Sequence, residues 1–180
     1  MKTILGLDIS SSTIGWAVIS CNENTVELTS YGNIKPPKST KGSLAYRASC
    51  AYDTVFQLLK EINPDFVAIE AYANKFPRGK STARTIIVLS VFNETMAIAS
   101  LKALDKEPLR YPVSTIRASL SKYSGEKVSS KEDVFDFVLD RFDNFNSRKN
   151  RSNNIAKECF DEADAIAVAL THYYKEMLNG

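Results

Sequence analysis

In the stretch DEADAIAVAL (161–170), Asp161, Glu162 and Asp164 stand directly before a run of small and aliphatic residues. Acids in the first turn of a helix favour the positive end of its dipole, and Asp161 alone would serve as an N-cap. At about 100° per residue, however, Asp161 and Asp164 share nearly one face, while Glu162 points elsewhere. Two carboxylates beside an apolar stripe are partly desolvated and repel each other unless a cation sits between them. Two further acids have similarly apolar settings. Asp8 interrupts TILGLDIS (3–10) on the face opposite Leu5, Leu7 and Ile9, and Glu70 closes the apolar run of FVAIEAY. Aspartate is depleted in central strands and costly to bury unpaired. Four carboxylates with no assigned basic partner point to hard divalent cations, Mg²⁺ or Mn²⁺. Two such ions at one site would activate water and stabilise the leaving oxygen of a phosphodiester.

The elements that must position these acids follow from hydrophobic period. TILGLDIS and TIGWAVIS (13–20) alternate about a tight Ser-rich connection and predict a hairpin, with TVELTSYGNI (25–34) as a third strand. Leu44, Ala48, Tyr52, Val55, Leu59 and Ile62 then recur at three and four, predicting an amphipathic helix that ends before Pro64. DFVAIEAY (65–72) reads as a buried strand, 81–104 as a largely apolar helix, and LRYPVS (109–114) as a fifth strand at a sheet edge. Ser114 is a candidate cap for a short helix, Ser129 or Ser130 for another, and the last helix spans about 160–177. Three strands, helix, strand, helix, strand, helices predicts a mixed five-stranded sheet with helices on both faces, the α/β ribonuclease H-like arrangement. If the fourth strand lies parallel beside the first, Asp8 and Glu70 become neighbours, and the final helix can lay Asp161 and Asp164 against them.

With 180 residues, 44% apolar and 24% charged, the composition fits one soluble domain spanning 1–180. Asp8 breaks the short apolar run at the N-terminus, so neither a signal peptide nor a membrane span is expected there, and no other run is read as a span. Cys21, Cys50 and Cys159 are odd in number and widely spaced, which suits a reducing cytoplasm better than a disulfide framework or a zinc site. The net charge of +2 is less informative than its distribution. Residues 35–47, 75–84 and 148–157 each hold four Lys or Arg and no acid, either solvated loops or a footprint for phosphate backbone.

ILGLDISSSTIGWAVI, FVAIEAY and DEADAIAVALTHYY resemble, in order and spacing, the three acidic motifs of the RuvC family of Holliday-junction resolvases. The resemblance implies a homodimeric, Mg²⁺-dependent endonuclease that nicks two opposed strands of a four-way DNA junction, with a branch-migration helicase as a candidate partner. It places the catalytic, metal-holding acids at Asp8, Glu70, Asp161 and Asp164. YPVSTIR and KEDV resemble the family's basic stretches near the active site, which implies roles for Arg117 and Lys131, with Lys127 close to the latter. Family members often carry Gln and an aromatic residue after the motif Glu, whereas this chain has EAYANKF, so the base-contacting aromatic is Tyr72 or Phe76. Arg78, Lys80 and Arg84 are the basic residues of the adjoining loop expected to meet DNA. The apolar helix that follows, with Ile86, Ile87, Val88, Leu89, Val91 and Phe92, is assigned to both core and dimer interface.

Two other readings share parts of this pattern. An actin-like ATPase or sugar kinase also opens on a strand–turn–strand around GLDIS, but needs a second domain and a Gly-rich adenosine motif. A less selective nuclease of branched DNA or RNA–DNA hybrid would use the same metal chemistry. His172 lies about 12 Å along the helix from Asp164, too far to share its metal, and Trp16 is assigned to the core.

Overall fold

The computed structural model describes residues 1–72 and 83–178. Its sheet contains β1 (Lys2–Ile9), β2 (Ile14–Cys21), β3 (Val26–Ile34), β4 (Phe66–Glu70) and β5 (Leu109–Tyr111), in the spatial order β3-β2-β1-β4-β5. The first three strands form an antiparallel meander, while β4 lies parallel to β1 and β5 parallel to β4. Helices α1 (Leu44–Ile62) and α2 (Ala83–Leu104) cover one face; α3 (Val113–Ser124), α4 (Lys131–Arg141) and α5 (Lys157–His172) belong to the other.

Strand β1 is buried on both sides, which explains why its alternation is apolar over apolar. Leu5, Leu7 and Ile9 pack with Val55, Leu59, Phe92 and Met96 of α1 and α2. Ile4 joins Ile166, Val168 and Leu170 of α5 on the opposite face. The α5 backbone comes closest at two glycines. A Cβ on Gly6 would lie 2.2 Å from the Ala165 carbonyl oxygen, and one on Gly15 would lie 2.0 Å from that of Asp161. Since Gly15 pairs with Asp8 across the hairpin, this contact also sets α5 beside the first acid.

Helix α1 has the expected ends, with the Ser43 hydroxyl accepting from the Tyr46 amide and Asn63 in the left-handed region just before Pro64. The Ser130–Asp133 capping box starts α4. Two boundaries differ from the sequence reading. Pro112 rather than Ser114 precedes α3, and Tyr111 ends the edge strand β5. Helix α5 begins at Lys157, one turn before the expected start, and ends at His172, followed by a wide turn at Tyr173–Met177. Asp161 is therefore not an N-cap, and the dipole of the first turn does not account for Asp161, Glu162 or Asp164; Glu158 is the acid there.

Helix α2 corrects another expectation, since by length and composition alone it is apolar enough to cross a membrane. Here Phe92, Met96, Ala99 and Ala103 enter the core against β1 and α1, Val88 and Val91 pack at its margin, and Ile87, Ile98 and Leu101 are exposed. Its apolar girth is thus divided between a buried face and a bare one.

Candidate active site

Parallel pairing of β1 with β4 runs in register to Leu7 and Ile69, and one residue further on come Asp8 and Glu70. Together with Tyr72, Lys131 and Asp161 they line a cavity of about 560 Å³. An adjoining recess of about 80 Å³ is lined by Asp8, Glu70, Arg117, Lys131 and Asp164. Asp8 and Glu70 thus line both spaces, Asp161 the first and Asp164 the second, with Lys131 of α4 in both, Arg117 of α3 in the second and Lys157 of α5 in the first.

Rotation of α5 is set by the acid that does not take part. Glu162 turns away from the cavity, where its carboxylate accepts from Asn33 Nδ2 at 2.7 Å and from Arg148 Nη2 at 2.6 Å. That clamp leaves Asp161 and Asp164 on the opposite side, as the helical period predicts. Lys131, at the first position of α4, puts its ammonium 2.6 Å from Asp164 and 3.7 Å from Asp161. The lysine side chain is half exposed, whereas both aspartates are nearly covered.

The electrostatic consequence is a shortage of positive charge. Burial, then the neighbouring carboxylates of Glu70 and Asp164, hold the Asp8 carboxyl well above the usual aspartate range. Burial and Asp164 push Glu70 up to about 7, against the opposing pull of Lys131 and Arg117. Asp161 and Asp164 are raised as well, by burial that Lys131 offsets only in part. Burial alone would lower the Lys131 ammonium, but Asp164, Asp8 and Asp161 outweigh it and hold the proton more firmly. Lys131, with Lys157 and Arg117 nearby, offsets the crowding of these carboxylates only in part.

The donor set fits a hard divalent cation, because it offers carboxylate oxygens and neither thiolate nor imidazole. Among the described residues, no three acidic, His or Cys side chains are drawn together closely enough to hold an ion as they stand. Lys131 is the cation that Asp161 and Asp164 share.

Arg117 lines the recess and Tyr72 the larger cavity, whereas Lys127 lines a separate groove of about 710 Å³ with Tyr123 and Phe137. Arg84 is exposed in the first turn of α2, beside a further cavity. Phe76, Arg78 and Lys80 lie outside the described residues. His172 is buried, bonded through Nδ1 to the Tyr111 hydroxyl at 2.9 Å and packed on Phe66, so it has no place among the acids. Trp16 is partly buried against the core on the α1–α2 side. A residue not singled out in the sequence is Asn93, buried in α2, which donates to the Glu70 carbonyl at 2.8 Å and accepts from Arg110 at 3.0 Å. A lone amide within an apolar helix was its only signal.

The family model for crossover junction endodeoxyribonuclease RuvC matches residues 4–107. A RuvC of that description from Wolbachia pipientis wMel is 28% identical over 97% of this chain and 95% of its own. One from Dehalococcoides mccartyi is 24% identical over 94% and 91%. Among solved structures, Thermus thermophilus RuvC in complex with a Holliday junction substrate superposes with a TM-score of 0.76 at 19% identity, covering 99% of this chain and 97% of that one. The yeast mitochondrial Holliday junction resolvase Ydc2 superposes at 0.66 with 14% identity, covering 98% and 81%. On the extent of the family match, carried by the strands that hold Asp8 and Glu70, this chain belongs to the RuvC family of crossover junction endodeoxyribonucleases.

Proposed function

We propose that the protein resolves four-way DNA junctions by paired, metal-dependent nicking of opposed strands. The convergence of Asp8, Glu70, Asp161 and Asp164 on two adjoining spaces, with Lys131 paired to both aspartates, carries this reading. Mg²⁺ or Mn²⁺, two per site, held by these four acids would activate water and stabilise the leaving oxygen. The protein's own groups do the rest. Lys131 and Arg117 bring positive charge to the phosphate approaching the recess, and Tyr72 offers a ring at the cavity mouth for an unstacked base. Asn93 holds the Glu70 backbone, and Glu162 with Asn33 and Arg148 holds the angle at which α5 presents its two aspartates.

Two cuts need two such sites, and a two-fold dimer matches the pseudo-symmetry of the junction. The bare face of α2, with Ile87, Ile98 and Leu101, is the surface we assign to that contact. Sedimentation at micromolar concentration is expected to give twice the 20.0 kDa chain mass, and Ile98→Glu to give the single chain. The activity test uses labelled synthetic four-way junction, duplex and RNA–DNA hybrid with Mg²⁺ or with chelator. Symmetric nicks confined to the junction and abolished by chelator are expected. Equal cutting of the hybrid would favour the less selective nuclease instead.

A further inference from the structure

Beside the acidic cavity lies one of opposite character. The loop between β3 and α1, the β1–β2 turn and the first turns of α2 enclose about 720 Å³, and Ser12 and Leu89 line both spaces. Among the described residues, the charged ones of its lining are Lys35, Lys38, Arg47 and Arg84, and none is an acid. Lys35 is paired with Glu158. The side chains of Lys38 and Arg84 are exposed and have no hydrogen-bond or ion-pair partner among the described residues.

Arg47 gives the cavity its distinctive chemistry. Its residue surface is only 8% exposed. The guanidinium donates through Nε to the Pro37 carbonyl at 2.7 Å and through Nη2 to the Ser11 carbonyl, and it lies over the Phe92 ring at 5.6 Å. These contacts tie the β1–β2 turn to the Pro36–Pro37 segment and so fix two walls. They satisfy donors without neutralising charge, and no carboxylate among the described residues pairs with Arg47. Buried guanidinium groups are normally paired, because an uncompensated charge in a low-dielectric setting is costly. A cleft with such walls focuses the field on whatever anion enters it.

We propose that this cavity is a second phosphate subsite. It seats a backbone phosphate of the substrate strand flanking the scissile one, with Lys38 and Arg84 closing on it and Arg47 supplying fixed charge behind them. The assignment rests on the nuclease reading above. It also answers a difficulty of that reading, since the four carboxylates repel the strand they must cut. A cationic seat across the Ser12–Leu89 ridge holds the strand by its neighbouring phosphate.

The test is the double variant Lys38→Gln/Arg84→Gln, both exposed positions, in the full chain. Binding to a fluorescent four-way junction is measured across a salt series. The slope of log affinity against log salt should become shallower by about one unit, with affinity down roughly tenfold. A methylphosphonate scan around the cut site then locates the contact. Neutralising one flanking phosphate should weaken the wild type clearly and the variant, which keeps only Arg47 there, much less. An unchanged slope, or the same methylphosphonate penalty in both proteins, overturns the subsite. Junction cutting by the wild type, read in parallel, separates the two ideas: cutting with an unchanged slope overturns the subsite alone, whereas no cutting overturns the nuclease reading beneath it.

Discussion

The acidic and basic cavities meet along Ser12 and Leu89, yet their unmet charges are of opposite sign. In the first, carboxylates crowd the Lys131 ammonium, and burial together with mutual repulsion raises the acids. In the second, a buried guanidinium stands with two unpaired exposed cations, and no acid lines the space among the described residues. Isolated, each arrangement costs folding free energy, because charge is held where water and counter-charge are scarce. On the proposed function, a metal-carrying phosphate strand would relieve both at once, with cations for the acids and an anion for the guanidinium. The ridge between them keeps the two needs from cancelling within the protein, as a direct Arg47–carboxylate pair would.

The largest effect should come from breaking the acidic side. Asp8→Asn, Glu70→Gln and Asp164→Asn are each expected to slow junction nicking by about 100-fold or more while binding persists or tightens. Each change removes charge that holds metal and none that attracts phosphate. Single-turnover cleavage beside a binding titration checks this, and near-normal cleavage by any variant would remove that residue from the catalytic set. Asp161→Asn belongs to the same series.

A second expectation concerns pH and the metal-free protein. Glu70 takes its proton at about 7 in the folded state against 4.5 for an ordinary glutamate, so near pH 6 the folded chain binds more protons than the unfolded one. Stability therefore is fully present below about 4.5 and falls as pH rises through about 7, by on the order of 3 kcal/mol from this group. Melting curves in chelator from pH 5 to 8 should show the decline, Glu70→Gln should flatten it, and Mg²⁺ should restore stability at the alkaline end. A melting temperature that climbs over this range without metal would contradict the crowding of the acids.

A smaller effect separates charge from spacing. Gly15→Ala adds a methyl where the Asp161 carbonyl oxygen already stands 2.0 Å from the Cβ position. The cost should be about 1–3 kcal/mol in melting experiments. Cleavage should slow as α5 is lifted from β2, while salt dependence at the basic cavity stays as it was. If cleavage is unaffected, α5 does not set the spacing of the acids.

Much of this arrangement is legible in the sequence. The three-four spacing ahead of Pro64 marks α1 and its end before that proline, and acids interrupting apolar runs mark Asp8 and Glu70, because a buried charge is conspicuous against aliphatic neighbours. The face shared by Asp161 and Asp164 follows from helical geometry alone. The start of α5 was not legible. Ala156 precedes the helix without a side-chain cap, while Asp161 resembles one, so the capping signal pointed a turn too late. Family resemblance marked Lys131, but its pairing with Asp164 and Asp161 depends on how α4 docks against α5. The clamp on Glu162 joins Asn33 across 129 positions, a distance over which no local pattern speaks. Arg47 was hidden for a different reason, since at helical spacing it reads as one more solvated cation in a basic run.

Gly6 and Gly15 have a consequence for how the enzyme fails on heating. With no side chain at these two points, α5 sits directly on the sheet backbone there, and nearly every residue from Cys159 to His172 is packed inside. The helix bearing two of the four acids cannot loosen alone; it leaves only when the innermost layer opens. Amides around Asp164 should accordingly exchange with deuterium only through global unfolding, and thermal inactivation should coincide with loss of the fold rather than precede it.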